Sequence, residues 1–247
     1  MLNINFLLKA IALTGVTSGL VLTSSYSLAA KGADPILSKV MINQLEIRDI
    51  EGEDNDSDIE TVLEGQAWMG KDLNKFWLKL ESEYINKDEY ETELQLLYSK
   101  AIAPYWDLQI GARSDIGPDD SNNWAVLGLQ GLAPYYFETD MAVFVSEEGD
   151  VAARVSLEYE LLFSQKLILT PEITLDAFAQ DNDKTSMGSG LASSDIGLRL
   201  RYEITKEFAP YIGISQNNLY GKTQSYAKAA GLDSESTQWV VGIRAWF

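Results

Sequence analysis

The sequence predicts an all-β protein, a membrane-spanning antiparallel up-and-down β-barrel of about 12 strands. Three observations carry that reading. Apolar and polar residues alternate with period two along most of the chain, the links between alternating segments are short and long by turns, and the last segment is amphipathic and closes on Phe247.

The first element is an address. Lys9 precedes an apolar stretch from Ala10 to Leu22, and Ser27-Leu28-Ala29-Ala30 has the small residues of a cleavage site, so residues 1–29 are expected to be a secretory signal peptide. The stretch is broken by Thr14, Gly15, Thr17, Ser18 and Gly19, which makes it too short and polar for a spanning helix of about 20 residues. An uncleaved anchor is the competing reading. Residues 30–247 are then expected to form one outer-membrane β-barrel domain.

From Val40 onward the pattern is that of strands. Phe76, Leu78, Leu80 and Tyr84 alternate with Lys75, Trp77, Lys79, Glu81 and Glu83. Beyond Asn86-Lys87-Asp88 the alternation resumes, with Tyr90, Thr92, Leu94, Leu96 and Tyr98 opposing Glu89, Glu91, Glu93, Gln95 and Ser99. It returns at Val151 to Phe163, at Ile196 to Ile204 against Arg199 and Arg201, and at Trp239 to Phe247. Twelve such segments are expected, at 39–48, 60–69, 75–86, 88–101, 105–115, 122–132, 135–146, 151–164, 166–180, 193–204, 207–217 and 236–247. The even-numbered links are short, and most odd ones are long and polar. Short turns on one rim and long loops on the other place both termini on the periplasmic side of an outer-membrane barrel. The short Asn86 link departs from that parity. Ala103-Pro104-Tyr105, Ala133-Pro134-Tyr135 and Ala209-Pro210-Tyr211 are expected to be three like turns on the short-link rim, where a proline can open a strand. A soluble β-sandwich is the alternative fold, but it has no use for the loop parity.

Composition narrows the function. A formal net charge of −18 argues against a nucleic-acid partner. With no histidine and no cysteine, the Ser-His-Asp, Cys-His and thiolate–zinc constellations cannot be assembled, and the chain is read as a non-enzyme. The polar faces are expected to point into the lumen, gathering Glu81, Glu83, Glu91, Glu93, Arg199, Arg201 and further charges into a hydrated, cross-braced interior. Excess acid there favours cations. The densest acid lies at Asp49 to Glu60, where Asp54, Asp56 and Asp58 copy the opening of a calcium loop. Ile59 and Gly65 occupy the places of the turn glycine and the bidentate glutamate, so these three aspartates are candidates only for weak divalent-cation attraction. Met1, Met41, Met69, Met141 and Met187 are too scattered to suggest a copper-thioether cluster.

Several stretches carry a resemblance. They include Gln66-Ala67-Trp68, Lys75-Phe76-Trp77-Leu78-Lys79, Ala101 to Gln109, Gln130 to Tyr135, Gly188-Ser189-Gly190-Leu191, Gly197 to Ile204, Glu207 to Gly213 and Trp246-Phe247. In this order, over nearly the whole chain from Val40, they resemble the copper-resistance protein B family. The resemblance implies an outer-membrane barrel of Gram-negative bacteria that takes part in copper tolerance and handles copper at the envelope. Copper as a bound metal is implied in this way alone. The partners implied are outer-membrane lipid, the barrel-insertion machinery that reads a terminal aromatic strand, and a periplasmic copper protein. The family also commonly carries a Met- and His-rich segment ahead of the barrel, whereas only Lys31 to Lys39 separates the signal from the first strand here. A structural or general-diffusion porin without a specific metal role is the alternative. Replacing Asp54, Asp56 and Asp58 together by Asn should weaken retention of Cu(II) by the purified barrel and leave assembly unchanged, which equilibrium dialysis checks.

Overall fold

Alternation in the sequence becomes a closed ring of antiparallel pairs. The computed structural model describes residues 34–50, 58–86, 89–118, 121–183 and 185–247, and residues 36–247 form one unit. The first seven strands are β1 (Leu37–Ile50), β2 (Asp58–Lys71), β3 (Asn74–Asn86), β4 (Glu89–Ala103), β5 (Trp106–Ile116), β6 (Ser121–Ala133) and β7 (Phe137–Ser146). They are followed by β8 (Val151–Glu158), β9 (Leu161–Leu162), β10 (Leu167–Phe178), β11 (Gly190–Tyr202), β12 (Phe208–Leu219) and β13 (Glu235–Trp246). Each strand pairs with its sequence neighbour except that β8 and β9 both pair with β10, and β13 returns to pair with β1 from Met41↔Trp246 to Arg48↔Val240. The seam runs to the last residue, for Phe247 and Val40 exchange both backbone hydrogen bonds, at 2.8 and 3.0 Å. Closure removes the sheet edges that lipid cannot satisfy.

The number of membrane crossings is the expected twelve, because β8 and β9 both pair with β10 and act as one interrupted strand. The break at Tyr159–Glu160 corrects the continuous segment expected over 151–164. Glu160 still reaches the lumen, where it pairs with Arg201. The links on the rim holding the termini are short and most of those on the other rim are longer, so the parity appears as read, including the exception between Asn86 and Glu89.

One further expectation changes. Pro104-Tyr105 and Pro134-Tyr135 do sit in turns, with Tyr105 and Tyr135 at φ near +67° and +68° and their rings exposed. Ala209-Pro210-Tyr211 does not. The preceding hairpin closes earlier, where Thr205 and Phe208 bridge, so β12 already begins at Phe208. Pro210 lies one residue beyond the last β11–β12 pair, Arg201↔Tyr211, where it removes no bond from that pairing, and Tyr211 turns into the lumen. The long polar link from Asn217 to Ser236 contains a helix, α1 (Gly221–Ala229). Its residues Gly221 to Ala229 have no marked apolar stripe, which is why periodicity does not reveal it.

Burial is inverted relative to a water-soluble protein. Ile212 is 61 % exposed and Val241 62 %, whereas Glu46 and Gln109 are each 1 % exposed. Apolar faces turned outward and polar faces turned inward are the arrangement of a barrel in lipid. Aromatic residues gather on the outside near both rims, Tyr135, Tyr136, Phe163, Phe208 and Phe247 at one and Trp239 and Tyr84 toward the other, where ring and headgroup meet. No helix among the described residues is long and apolar enough to cross a membrane, which leaves the strands as the spanning elements. The protein should therefore be heat-modifiable: unboiled and boiled samples should migrate differently on a denaturing gel, and recovery as a soluble periplasmic monomer would contradict the fold.

Candidate functional site in the barrel lumen

The lumen is organised around arginines. A bulge in β1 between Ile42 and Gln44 shifts the pairing phase, so that Gln44, Glu46 and Arg48 all face inward. Arg199 on β11 reaches over β12 and β13 to donate to both Glu46 oxygens at 3.0 Å, to Gln44 at 3.0 Å and to Glu172 on β10 at 2.8 Å. Arg48 donates to Glu46 at 2.7 Å, and the Tyr211 hydroxyl donates to it at 2.9 Å. The side chains of Arg199 and Glu46 are 7 % and 0 % exposed, so each is the other's main replacement for water.

Glycines make room for this hub. A Cβ on Gly197 would stand 2.3 Å from the Arg199 guanidinium, and one on Gly242 would stand 2.6 Å from the Tyr211 ring. Both long side chains therefore lie flat along the barrel wall. Arg154 on β8 forms a second hub, bonded to Asp176 at 2.8 Å, to Glu93 at 3.0 Å and to Glu81 at 3.3 Å across the lumen. Lys79 on β3 crosses to Asp140 on β7, and Arg244 on β13 reaches Glu158 on β8 at 2.9 Å. Opposite walls are thus tied together by charge.

A cavity of about 990 Å³ runs beside these hubs, from Gly117, Met187 and Thr223 at the loop rim toward Leu132 and Glu138 near the rim of the termini. Among the described residues, twelve carboxylates and five cationic side chains line it. Glu81, Glu83, Glu91, Glu93 and Arg199 are all on its wall, as the sequence places them, and Arg201 lines a small adjoining pocket with Arg244. The wall also has an apolar sector that alternation alone did not reveal. Trp77, Leu97, Trp124, Val126, Phe144 and Ala152 are buried together on the lumen side, with Arg113 stacked 4.7 Å from the Phe144 ring. The signal was there in part, since Trp77 falls on the inward parity between Lys75 and Lys79.

At the loop rim, α1 is fastened to the segment between β10 and β11. Lys222 donates to Asp181 at 2.6 Å, Tyr226 bonds Asp183, and the Gly188 N–H donates to the Thr223 hydroxyl at 2.9 Å. The Lys222 ammonium and the Ser189 N–H hold the Asp181 carboxyl down to about 2. The contribution of this ion pair is therefore complete above the ordinary aspartate value near 4 and is lost as pH falls through about 2.

The metal candidates fare differently. Asp54 and Asp56 lie outside the described residues, and Asp58 is placed only as the first residue of β2, opposite Ile50. Among the described residues no group of three or more carboxylates is arranged to hold a metal ion. Among the described residues, Met187 lines the cavity at the loop rim, Met41 packs near the lumenal tryptophans, and Met69 is exposed on the outer face, so these three thioethers do not meet.

Comparison with known proteins follows the same lines. The family model described as copper resistance protein B precursor (CopB) matches residues 36–247. Copper resistance protein B from Escherichia coli is 44 % identical over 181 residues, which cover 73 % of this chain and 61 % of that protein. The copper resistance protein B homolog of Pseudomonas syringae pv. tomato is 40 % identical over 181 residues, 73 % of this chain and 62 % of its own. The chain thus spans less than two thirds of the length of these curated relatives. Among solved structures, the NanC porin aligns with a TM-score of 0.57 at 14 % identity, over 82 % of this chain and 98 % of that one. The KdgM porin in complex with disordered oligogalacturonate aligns with a TM-score of 0.50 at 14 % identity, over 85 % and 99 %. At such identity the likeness is one of fold, that of an outer-membrane barrel.

Removing Arg199 should be costly because it strands Glu46 and Glu172. Arg199→Met is expected to destabilise the barrel by about 3–5 kcal/mol in urea unfolding from lipid, the usual effect of breaking a buried pair. Adding Glu46→Gln should recover part of that loss. Unchanged midpoints in the single variant would show that the hub contributes nothing.

Proposed function

Because the chain belongs to the copper resistance protein B family, we propose that it takes part in copper resistance at the outer membrane, where its lumen draws in copper(II) and holds it loosely on carboxylate oxygens. The observation that carries this reading is the excess, among the described residues, of twelve carboxylates over five cations on the wall of a cavity that runs from the loop rim toward the rim of the termini. A low-dielectric wall focuses such a field and raises the local concentration of divalent cations.

The ligand inventory sets the strength of the interaction. With no histidine or cysteine and with the methionines dispersed, the donors available to copper are carboxylate, amide and backbone oxygens. Hard oxygen donors suit copper(II) better than copper(I) and discriminate poorly among divalent metals. Many of the carboxylates are also engaged by arginine, so a metal ion competes with ion pairs that brace the barrel. Weak, exchangeable binding is the consequence, and it suits handling or passage of copper ions rather than storage. The reading involves no covalent chemistry and no catalytic residue.

Titration of the purified barrel in detergent with Cu(II) and, under reducing conditions, with Cu(I) tests it. Cu(II) should bind weakly near neutral pH and be released on acidification, as protons compete with the metal for the carboxylates, and Cu(I) should not be retained. A tight Cu(I) site insensitive to pH would overturn the carboxylate account. Absence of Cu(II) binding at any pH would leave the general-diffusion porin as the better reading.

A further inference from the structure

We infer that α1 is a hinged lid on the loop-side mouth of the lumen, docked on residues 181–183 and 185–189, and that it must lift for an ion to enter or leave. The inference concerns how the lumen is reached and stands whether or not copper is what enters.

Position comes first. Thr223 of α1, together with Thr185 and Met187 of the segment beneath it, lines the end of the cavity nearest the loops. Thr223 and Ala227 are buried. The helix is thus seated over the cavity and against the neighbouring loop, not extended into solvent.

The seat is built for close but breakable contact. A Cβ at residue 188 would stand 2.5 Å from the Lys222 Cβ and 2.7 Å from the Thr223 nitrogen, so only a glycine lets the helix settle where it does. Among the described residues, its polar fastenings include the Lys222–Asp181 pair, the Tyr226–Asp183 bond, the Gly188–Thr223 bond and a Gln224–Ser234 bond of 3.2 Å at the far hinge. Lys222 is 59 % exposed in its side chain, and exposed pairs of this kind are weak. The helix has nine residues and cannot hold itself together in isolation, where about 12–15 are needed even for good sequences. Its order therefore depends on docking.

Hinges flank it. Gly221 at the first turn has φ +57° and Gly231 just past the last turn has φ +78°, conformations in which glycine moves freely and other residues are strained. Backbone rotation at two such points swings a short element without disturbing the strands on either side. The strands themselves are anchored independently, since Leu219 donates to Ser234 at 2.8 Å and Tyr220 to Ala192 at 2.8 Å. The movable part is thereby confined to the residues between those anchors.

The absence of cysteine from the sequence makes a clean test available. The paired substitution Gly188→Cys with Lys222→Cys places two thiols within reach of a disulfide after a small adjustment, because their β-carbons need about 3.5–4.5 Å. Inserted as the full chain into planar bilayers in potassium chloride, the oxidised protein should conduct about five-fold less than the same protein after reduction, as expected for a blocked constriction. Gly188→Trp, which forces α1 off its seat, should raise conductance above that of the unsubstituted chain. Equal conductance of the cross-linked and reduced forms, with the cross-link confirmed by mass, overturns the lid. So does unchanged conductance in Gly188→Trp, or a barrel that carries no current in any of these states.

Discussion

The pairing of Arg199 with Glu46 is the constraint on which the rest of the lumen depends. Neither group can be left without a partner inside a membrane, where an uncompensated ion costs several kcal/mol. Satisfying both needs the β1 bulge that turns Gln44 and Glu46 inward, the missing side chain at Gly197, and Tyr211 laid over Gly242. Those features lie on β1, β11, β12 and β13, at and beside the seam that closes the barrel. Closure of the sheet and satisfaction of its buried charge are therefore one event, and the backbone exchange between Val40 and Phe247 completes the same seam.

The second arginine hub works across the barrel instead of along its seam. Arg154 bridges β8 to β3, β4 and β10, and Lys79 with Asp140 spans the lumen beside it. Such struts stiffen a wall whose outer face gains nothing from contact between side chains and lipid tails. They also divide the interior into a charged region and an apolar sector built on Trp77, Leu97, Trp124 and Phe144. An ion passing through would keep to the charged side, where water and carboxylates replace its hydration shell, and would avoid the aromatic side.

Family membership and ligand chemistry meet at one point. The chain belongs to a family named for copper resistance, yet apart from Met187 the donors it presents in its lumen are oxygen atoms, many of them on guanidinium-bound carboxylates. A metal held by such donors exchanges readily. On the reading proposed above, an exchangeable ion, a field that concentrates cations and a lid over the entrance would describe a passage more naturally than a store.

The sequence by itself determined the barrel, its twelve crossings, the side of the sheet on which Glu81, Glu83, Glu91, Glu93, Arg199 and Arg201 fall, and the rim that holds the termini. Period-two alternation is a local property, and lipid outside with water inside allows only one assignment of the two faces. Link lengths then fix the rims. Tertiary structure alone decided which charge meets which. Arg199 and Glu46 are 153 residues apart, and Lys79 and Asp140 are 61 apart, so their meeting depends on closure and strand stagger that no local pattern encodes. It also decided that Tyr211 enters the lumen and that Tyr105 and Tyr135 do not, although all three follow Ala-Pro, because the hairpin before β12 has already closed at Thr205 and Phe208. The helix α1 belongs to the same class: nine residues without a marked apolar stripe fold only because Gly188 leaves room for them and Asp181 and Asp183 wait on the neighbouring segment.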